Sequence, residues 1–220
     1  MAIAYVSTGA YASDASAVTL GTPAGSSNGN LFVAFVGVQD SNATAGVTTP
    51  SGWNLITSVV TSSGTYTRLY AFWTILSGGT TYVFNTTAGS GSLNGVDGII
   101  RAYSGTKTTA VVNSFNSAAE SGGTIIVPAL TETFQSGEWY VTCCSDGNNG
   151  TPSPISPALS NSFHDNGSNN SYTAGDYIPV SSPGTETYTL GSGLAAAIGL
   201  TILPSSSASA PLPSTQIFFM

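Results

Sequence analysis

The chain has 220 residues, 3 basic against 10 acidic, a net charge of −7, and only 6% charged residues where globular domains average about 25%. So acidic and charge-poor a chain cannot neutralise phosphates, which argues against DNA or RNA as a partner. No run of about 18 apolar residues occurs, so no membrane helix is expected either.

Helix signals are nearly absent, because Gly or β-branched residues interrupt every candidate window of i, i+3, i+4, i+7 spacing. Short apolar or alternating runs between Gly, Asn, Pro and Ser clusters predict strands instead. In chain order these are Ala17 to Gly21, Leu31 to Val38, Trp53 to Thr61, Thr65 to Leu76, Thr80 to Asn85 and Gly95 to Ser104. They continue with Ala110 to Phe115, Thr124 to Val127, Glu138 to Ser145, Tyr172 to Val180, Glu186 to Leu190 and Gly193 to Leu203. About a dozen strands joined by short polar turns is the pattern of an all-β, antiparallel two-sheet sandwich of jelly-roll type, with barrel closure as the alternative.

The two halves of the chain resemble one another at an offset of roughly 105 to 110 residues. Gly29-Asn30-Leu31-Phe32-Val33-Ala34 matches Gly137-Glu138-Trp139-Tyr140-Val141-Thr142, and Gly79 to Phe84 matches the run ending in Thr187 to Leu190. The reading is an internal duplication in which each half supplies part of both sheets around one shared core; the plainer alternative is the likeness of any two β meanders. Residues 1–203 are expected to form this single domain and 204–220 an extended C-terminal arm, Ser- and Pro-rich and then apolar at Ile217, Phe218, Phe219 and Met220. An apolar tip in water costs about 1.5–3 kcal/mol per large side chain, so it should dock, on its own domain or on a neighbour.

Raw material for catalysis is scarce. The single histidine, His164, lies beside Asp165 in a polar stretch that reads as a loop, and no nucleophile elbow is present. Cys143 and Cys144 are adjacent and should point to opposite faces of a strand, as small buried fillers without a disulfide. One His and two adjacent Cys do not make a zinc site, and the Asp146 to Gly150 and Asp165 to Gly167 runs read as turns before calcium loops. No nucleotide-binding glycine loop is present, so no cofactor is expected. Asp97 and Arg101 share one strand face, where charge pairing across strands is the simplest role. The start of the chain has no basic and apolar leader pattern, which suggests a soluble protein made in a host cytoplasm.

Strands Leu31 to Val38 and Thr65 to Leu76 carry large apolar groups on both faces, so each is sandwiched twice or covered by another subunit. Tyr70 and Phe72 are therefore candidate subunit or capsid contacts, together with the arm's Ile217 to Met220. If the chain instead binds glycans, Tyr11, Phe163, Tyr172 and Tyr177 are the candidate stacking residues.

Pro50-Ser51-Gly52-Trp53-Asn54-Leu55-Ile56, Arg68-Leu69-Tyr70-Ala71-Phe72-Trp73, Tyr82-Val83-Phe84 and Gly98-Ile99-Ile100-Arg101-Ala102-Tyr103-Ser104-Gly105 form a pattern over roughly residues 30–105. A weaker echo runs to about residue 203. The pattern resembles that of phage and bacterial surface or particle proteins. The resemblance implies a jelly-roll-like module used in capsid decoration (cement) or in a tail, and carries no catalytic residue. It further implies a virion-surface location, the major capsid protein as partner and a homo-oligomer, with a trimer favoured. The alternative from a different class is a tail- or fibre-associated module that binds carbohydrate or a receptor.

Overall fold

A computed structural model describes residues 1–61, 66–87, 89–120, 122–147, 152–156, 158–166, 170–190 and 194–205. Among these residues the only regular elements are seventeen strands. Every ladder between them is antiparallel. The first half contains β1 (Ala4–Thr8), β2 (Ala12–Asp14), β3 (Ala17–Gly21), β4 (Leu31–Asp40), β5 (Gly46–Val47), β6 (Asn54–Val60), β7 (Tyr66–Ile75), β8 (Thr81–Thr87) and β9 (Leu93–Ser104). The second contains β10 (Val112–Glu120), β11 (Thr124–Val127), β12 (Trp139–Asp146), β13 (Ser153–Ser156), β14 (Ser160–Asn166), β15 (Ser171–Tyr177), β16 (Glu186–Thr189) and β17 (Ala195–Ile202). All twelve predicted strands are present. Those missed, β1, β2, β5, β13 and β14, are short or polar and carry little of the apolar pattern that betrays a strand.

The first half forms a large sheet ordered β1-β9-β4-β7-β6 and a small one ordered β3-β8-β5. The second repeats both as β10-β17-β12-β15-β14 and β11-β16-β13; the one addition is β2, which pairs with β9. With β2 set aside, each half has eight strands, pairing first with eighth, second with seventh and third with sixth. That is the pairing of a jelly roll except at the fifth strand, which joins the sixth in the large sheet instead of the fourth in the small one. The internal likeness is thus a repeat of topology, but the expected sharing of two sheets is corrected. Each half builds its own pair of sheets, and the jelly roll occurs twice.

Three apolar layers hold the four sheets together. Phe32, Val36, Phe72, Phe84 and Trp53 fill the first jelly roll, and Ile125, Val127, Cys144, Tyr188 and Ala197 the second. Between the two large sheets lie Leu31, Val33, Phe35, Leu69, Ile99, Val141, Cys143, Ile198 and Leu200, the seam of the molecule. This arrangement explains β4, whose ten residues are all buried. Its odd-numbered side chains from Leu31 to Phe35 enter the seam and its even-numbered ones from Phe32 to Val38 enter the first jelly roll. The cover over both apolar faces comes from the chain itself.

Local geometry repeats as well. Gly29 and Gly137, at φ of 91° and 86°, turn the chain into β4 and β12, a conformation that side chains other than glycine adopt at a cost. The Pro50 to Trp53 turn closes with Trp53 N donating to Pro50 O at 3.1 Å, and sets Trp53 edge-on to Tyr82 and Phe84 at 5.2 and 5.1 Å.

Ladder register assigns equivalents: Leu31 to Trp139 in the third strands, then Asp97 to Ala196, Arg101 to Leu200, Leu69 to Tyr172 and Trp73 to Asp176 through their partners. Equivalent faces meet across the seam. Only a half-turn about an axis lying between the sheets turns a face toward its own equivalent, so the halves are related as in a twofold dimer. Two contacts mark the axis, because each joins residues in the same place of the two halves. Gln39 Nε2 donates to Gly147 O, and Thr67 Oγ1 donates to Asn170 Oδ1 at 3.4 Å.

Candidate functional site

The densest set of chemistry-bearing side chains lies within the seam, in two clusters on β9. Asp97 and Arg101 stand four residues apart and so share a face, about 13 Å from one another along the strand. Tyr172 and Asp176 on β15 repeat that spacing and meet them one for one. The two β9 charges were expected to pair with strands beside them; each instead finds its partner in the opposite half.

Arg101 Nη2 lies 2.7 Å from Asp176 Oδ2, with both side chains fully buried. Its remaining donors reach Tyr103 Oη at 2.9 Å, Thr8 Oγ1 at 3.2 Å and Asn161 O at 3.1 Å, and its guanidinium sits over the Tyr5 ring. Asp176 also accepts from Tyr103 Oη at 3.0 Å and from Asn161 Nδ2 at 2.7 Å. Such saturation is what a buried ion pair needs, because each ion left unpaired there costs about 3–5 kcal/mol.

Asp97 accepts from Tyr172 Oη at 2.7 Å, from Asn170 Nδ2 at 2.9 Å and from Tyr11 Oη at 3.0 Å, and Asn170 N adds a bond at 3.1 Å. Burial drives the Asp97 carboxyl up to about 6, against the opposing pull of its bonds to Tyr172, Asn170 and Tyr11. Gly37 makes the room for this cluster. A Cβ there would enter the space of Tyr172 Oη and sit 2.9 Å from Asp97 Oδ1.

A third buried carboxyl, Glu186, stands at the start of β16 in the second jelly roll, with burial pushing it up to about 8. Among the described residues neither of its oxygens has a hydrogen-bond partner, and its charge adds to the burial that pushes the Tyr140, Tyr177 and Tyr188 hydroxyls up. Both cysteines are buried and free, Cys143 in the seam and Cys144 in the second jelly roll, as adjacent strand residues must be. Burial raises both thiols well above the ordinary range.

The candidate contact residues fare differently. Tyr70 and Phe72 are 6% and 0% exposed, stacked on each other and roofed by the small sheet of their own half. They are interior residues, a correction to their reading as subunit contacts, and the reason is the second sheet that β3, β5 and β8 supply. Ile217, Phe218, Phe219 and Met220 lie outside the described residues. Among the candidate glycan contacts Tyr172 is sealed in the seam, which removes it as a stacking platform. Tyr11 and Phe163 are half-buried against the seam core, and Tyr177 is half-buried with its ring 5.0 Å from that of Tyr140. His164 sits on β14, not in a loop, with Nδ1 2.9 Å from Thr173 Oγ1. The two acidic turn candidates lie partly outside the described residues.

Two exposed groups escaped the sequence reading. Ile178 and Val180, 60% and 95% exposed, follow β15 where the apolar run had suggested more strand. Pro179 between them was the available signal, since proline cannot donate to a ladder. An open groove of about 520 Å³ also lies beside the linker between the halves, lined by Met1, Lys107, Gln135, Gly137, Pro204 and Ser205. The Met1 ammonium donates to Ser205 O and Oγ at 3.2 and 3.0 Å, so the first residue and the last described one meet there.

Comparison with known proteins finds no matching family model, no matching curated protein and no matching solved structure.

Proposed function

We propose that this chain is a non-enzymatic structural protein of a phage particle, a capsid decoration or cement protein that binds the outer capsid surface as a homo-oligomer, with a trimer favoured. The observation that supports this reading is where the reactive side chains lie. Asp97, Arg101, Tyr172, Asp176, Glu186 and both cysteines are enclosed between sheets and shielded from solvent. Outward-facing residues include the hydroxylated Thr19, Thr81 and Thr189, together with exposed apolar side chains at Leu55, Val83, Phe115, Ile126, Ile178 and Val180. A rigid four-sheet body with such a surface suits a protein that holds other surfaces together.

The jelly roll serves capsid proteins among many other roles, so the fold supports the reading by analogy, alongside the sequence resemblance. The surfaces assigned to capsid or subunit contact are the exposed Ile178 and Val180 and the apolar run Ile217 to Met220. The test is to image purified particles with the chain present and deleted, and to add the purified chain back. Regular density over the capsid, at a fixed copy number and with particles that break more readily without it, is the expected result. Density confined to the tail would replace this reading by receptor or glycan binding, and density nowhere on the particle would sink both.

A further inference from the structure

We infer that the seam carries a pairing code, written in Asp97 and Arg101 on one half and Asn170, Tyr172 and Asp176 on the other, that lets the first jelly roll pair only with the second and never with a copy of itself. The argument begins with the twofold relation of the halves. In a symmetric pair every contact has a mate, and the mates here are unlike. The Arg101–Asp176 ion pair corresponds to Leu200 and Trp73, and the Asp97–Tyr172 bond corresponds to Ala196 and Leu69. All four mates are apolar and belong to or pack against the seam core. One side of the axis is thus polar and fully bonded, and the other is oily.

A symmetric seam would allow wrong partners. If two first halves met through this face, Arg101 would oppose Trp73 and Asp97 would oppose Leu69, each a buried ion without a counterpart. Two second halves would set Asp176 against Leu200 and Tyr172 against Ala196. Each stranded ion weakens association by about 10²- to 10⁴-fold, so the homotypic pairs, with two or more such ions each, are excluded. The correct pair strands none. Polar groups in an apolar interface are a documented means of fixing partner choice at some loss of stability.

The consequence reaches beyond one molecule. Wherever many copies crowd together, half-folded chains offer the same oily face to their neighbours, and the code restricts that face to a second half. The one interchain partner it admits is a second copy exchanging halves, first with second, through the exposed linker at Thr108 to Ala110.

The test exchanges the ion pair in the full chain: Arg101→Asp, Asp176→Arg, and both together. Each single variant is expected to lose about 6–20 °C of melting temperature, and the double variant to recover at least half of that loss. Singles that melt within about 2 °C of the parent, or a double no better than the singles, would overturn the inference. Partner choice is read separately. Parent and double variant, one isotopically labelled, are cleaved at a protease site placed in the linker, unfolded together and refolded. Native mass spectrometry should show matched halves exceeding mixed halves by at least tenfold. Mixed pairs at the statistical ratio, or pairs of two first or two second halves, refute the code.

Discussion

Gly37 lies in the middle of β4 directly beneath the Asp97–Tyr172 bond, and Gly37→Ala should force that bond apart. The new Cβ would enter the space of Tyr172 Oη, 2.9 Å from Asp97 Oδ1 and 3.3 Å from Asn170 Nδ2. Tyr172 cannot swing away, because its ring is fully buried in the seam and packed against Tyr11 at 5.7 Å. Overpacking of this kind costs about 1–3 kcal/mol, and weakening a buried bond to a carboxylate adds about 1.5–3. The sum, about 2.5–6 kcal/mol, corresponds to a fall of roughly 5–24 °C in melting temperature for a chain of this size. Differential scanning calorimetry measures it, with Gly122→Ala as control, since nothing lies within 4 Å of a Cβ at Gly122. Gly37→Ala combined with Tyr172→Phe removes the clashing oxygen and should be less damaging than the sum of the two single changes. A Gly37→Ala chain that melts with the parent would show that the seam is loose and the cluster does not brace it.

Three further outcomes follow from the buried groups. Asp97, raised by burial from 3.8 to about 6, and Glu186, raised by burial from 4.5 to about 8, hold protons in the folded chain that the unfolded chain releases. Their contribution is fully present below about pH 4 and is lost as pH rises through about 6 and then about 8, so the melting temperature should fall from about pH 5 to pH 9. Glu186→Gln should flatten the upper part of that fall, and a melting temperature that rises over the range would contradict the assignment. Gly199→Ala should destabilise the second jelly roll, because its Cβ would enter the Tyr140 ring and hydroxyl; Gly199→Ala with Tyr140→Phe should recover only part of the loss, since ring carbons also crowd the site. Cys143 and Cys144 should both resist a thiol reagent in the native chain and both react in denaturant, which a colorimetric thiol titration reads directly.

Much of the architecture is legible in the residues. Runs such as Leu31 to Val38, too short and too β-branched for helices and bounded by Gly and Asn, specify strands, and their number specifies an all-β sandwich. The repeat is legible too, because Gly29 and Gly137 carry the same left-handed turn into equivalent strands. Adjacency alone settles that Cys143 and Cys144 enter different layers. What covers the second apolar face of β4 and β7 could not be decided that way, since a strand pattern reports that a face is buried and not by what. Only the tertiary structure assigns that cover to the chain's own small sheet, which turns Tyr70 and Phe72 from surface candidates into core. The same holds for the polar groups on β9. Sequence places Asp97 and Arg101 on one face of one strand, but their partners, Tyr172 and Asp176, are some 75 residues away and reach them only because two jelly rolls stack equivalent faces. Local chemistry sets the period and the turns; the meeting of distant side chains is a property of the packed chain alone.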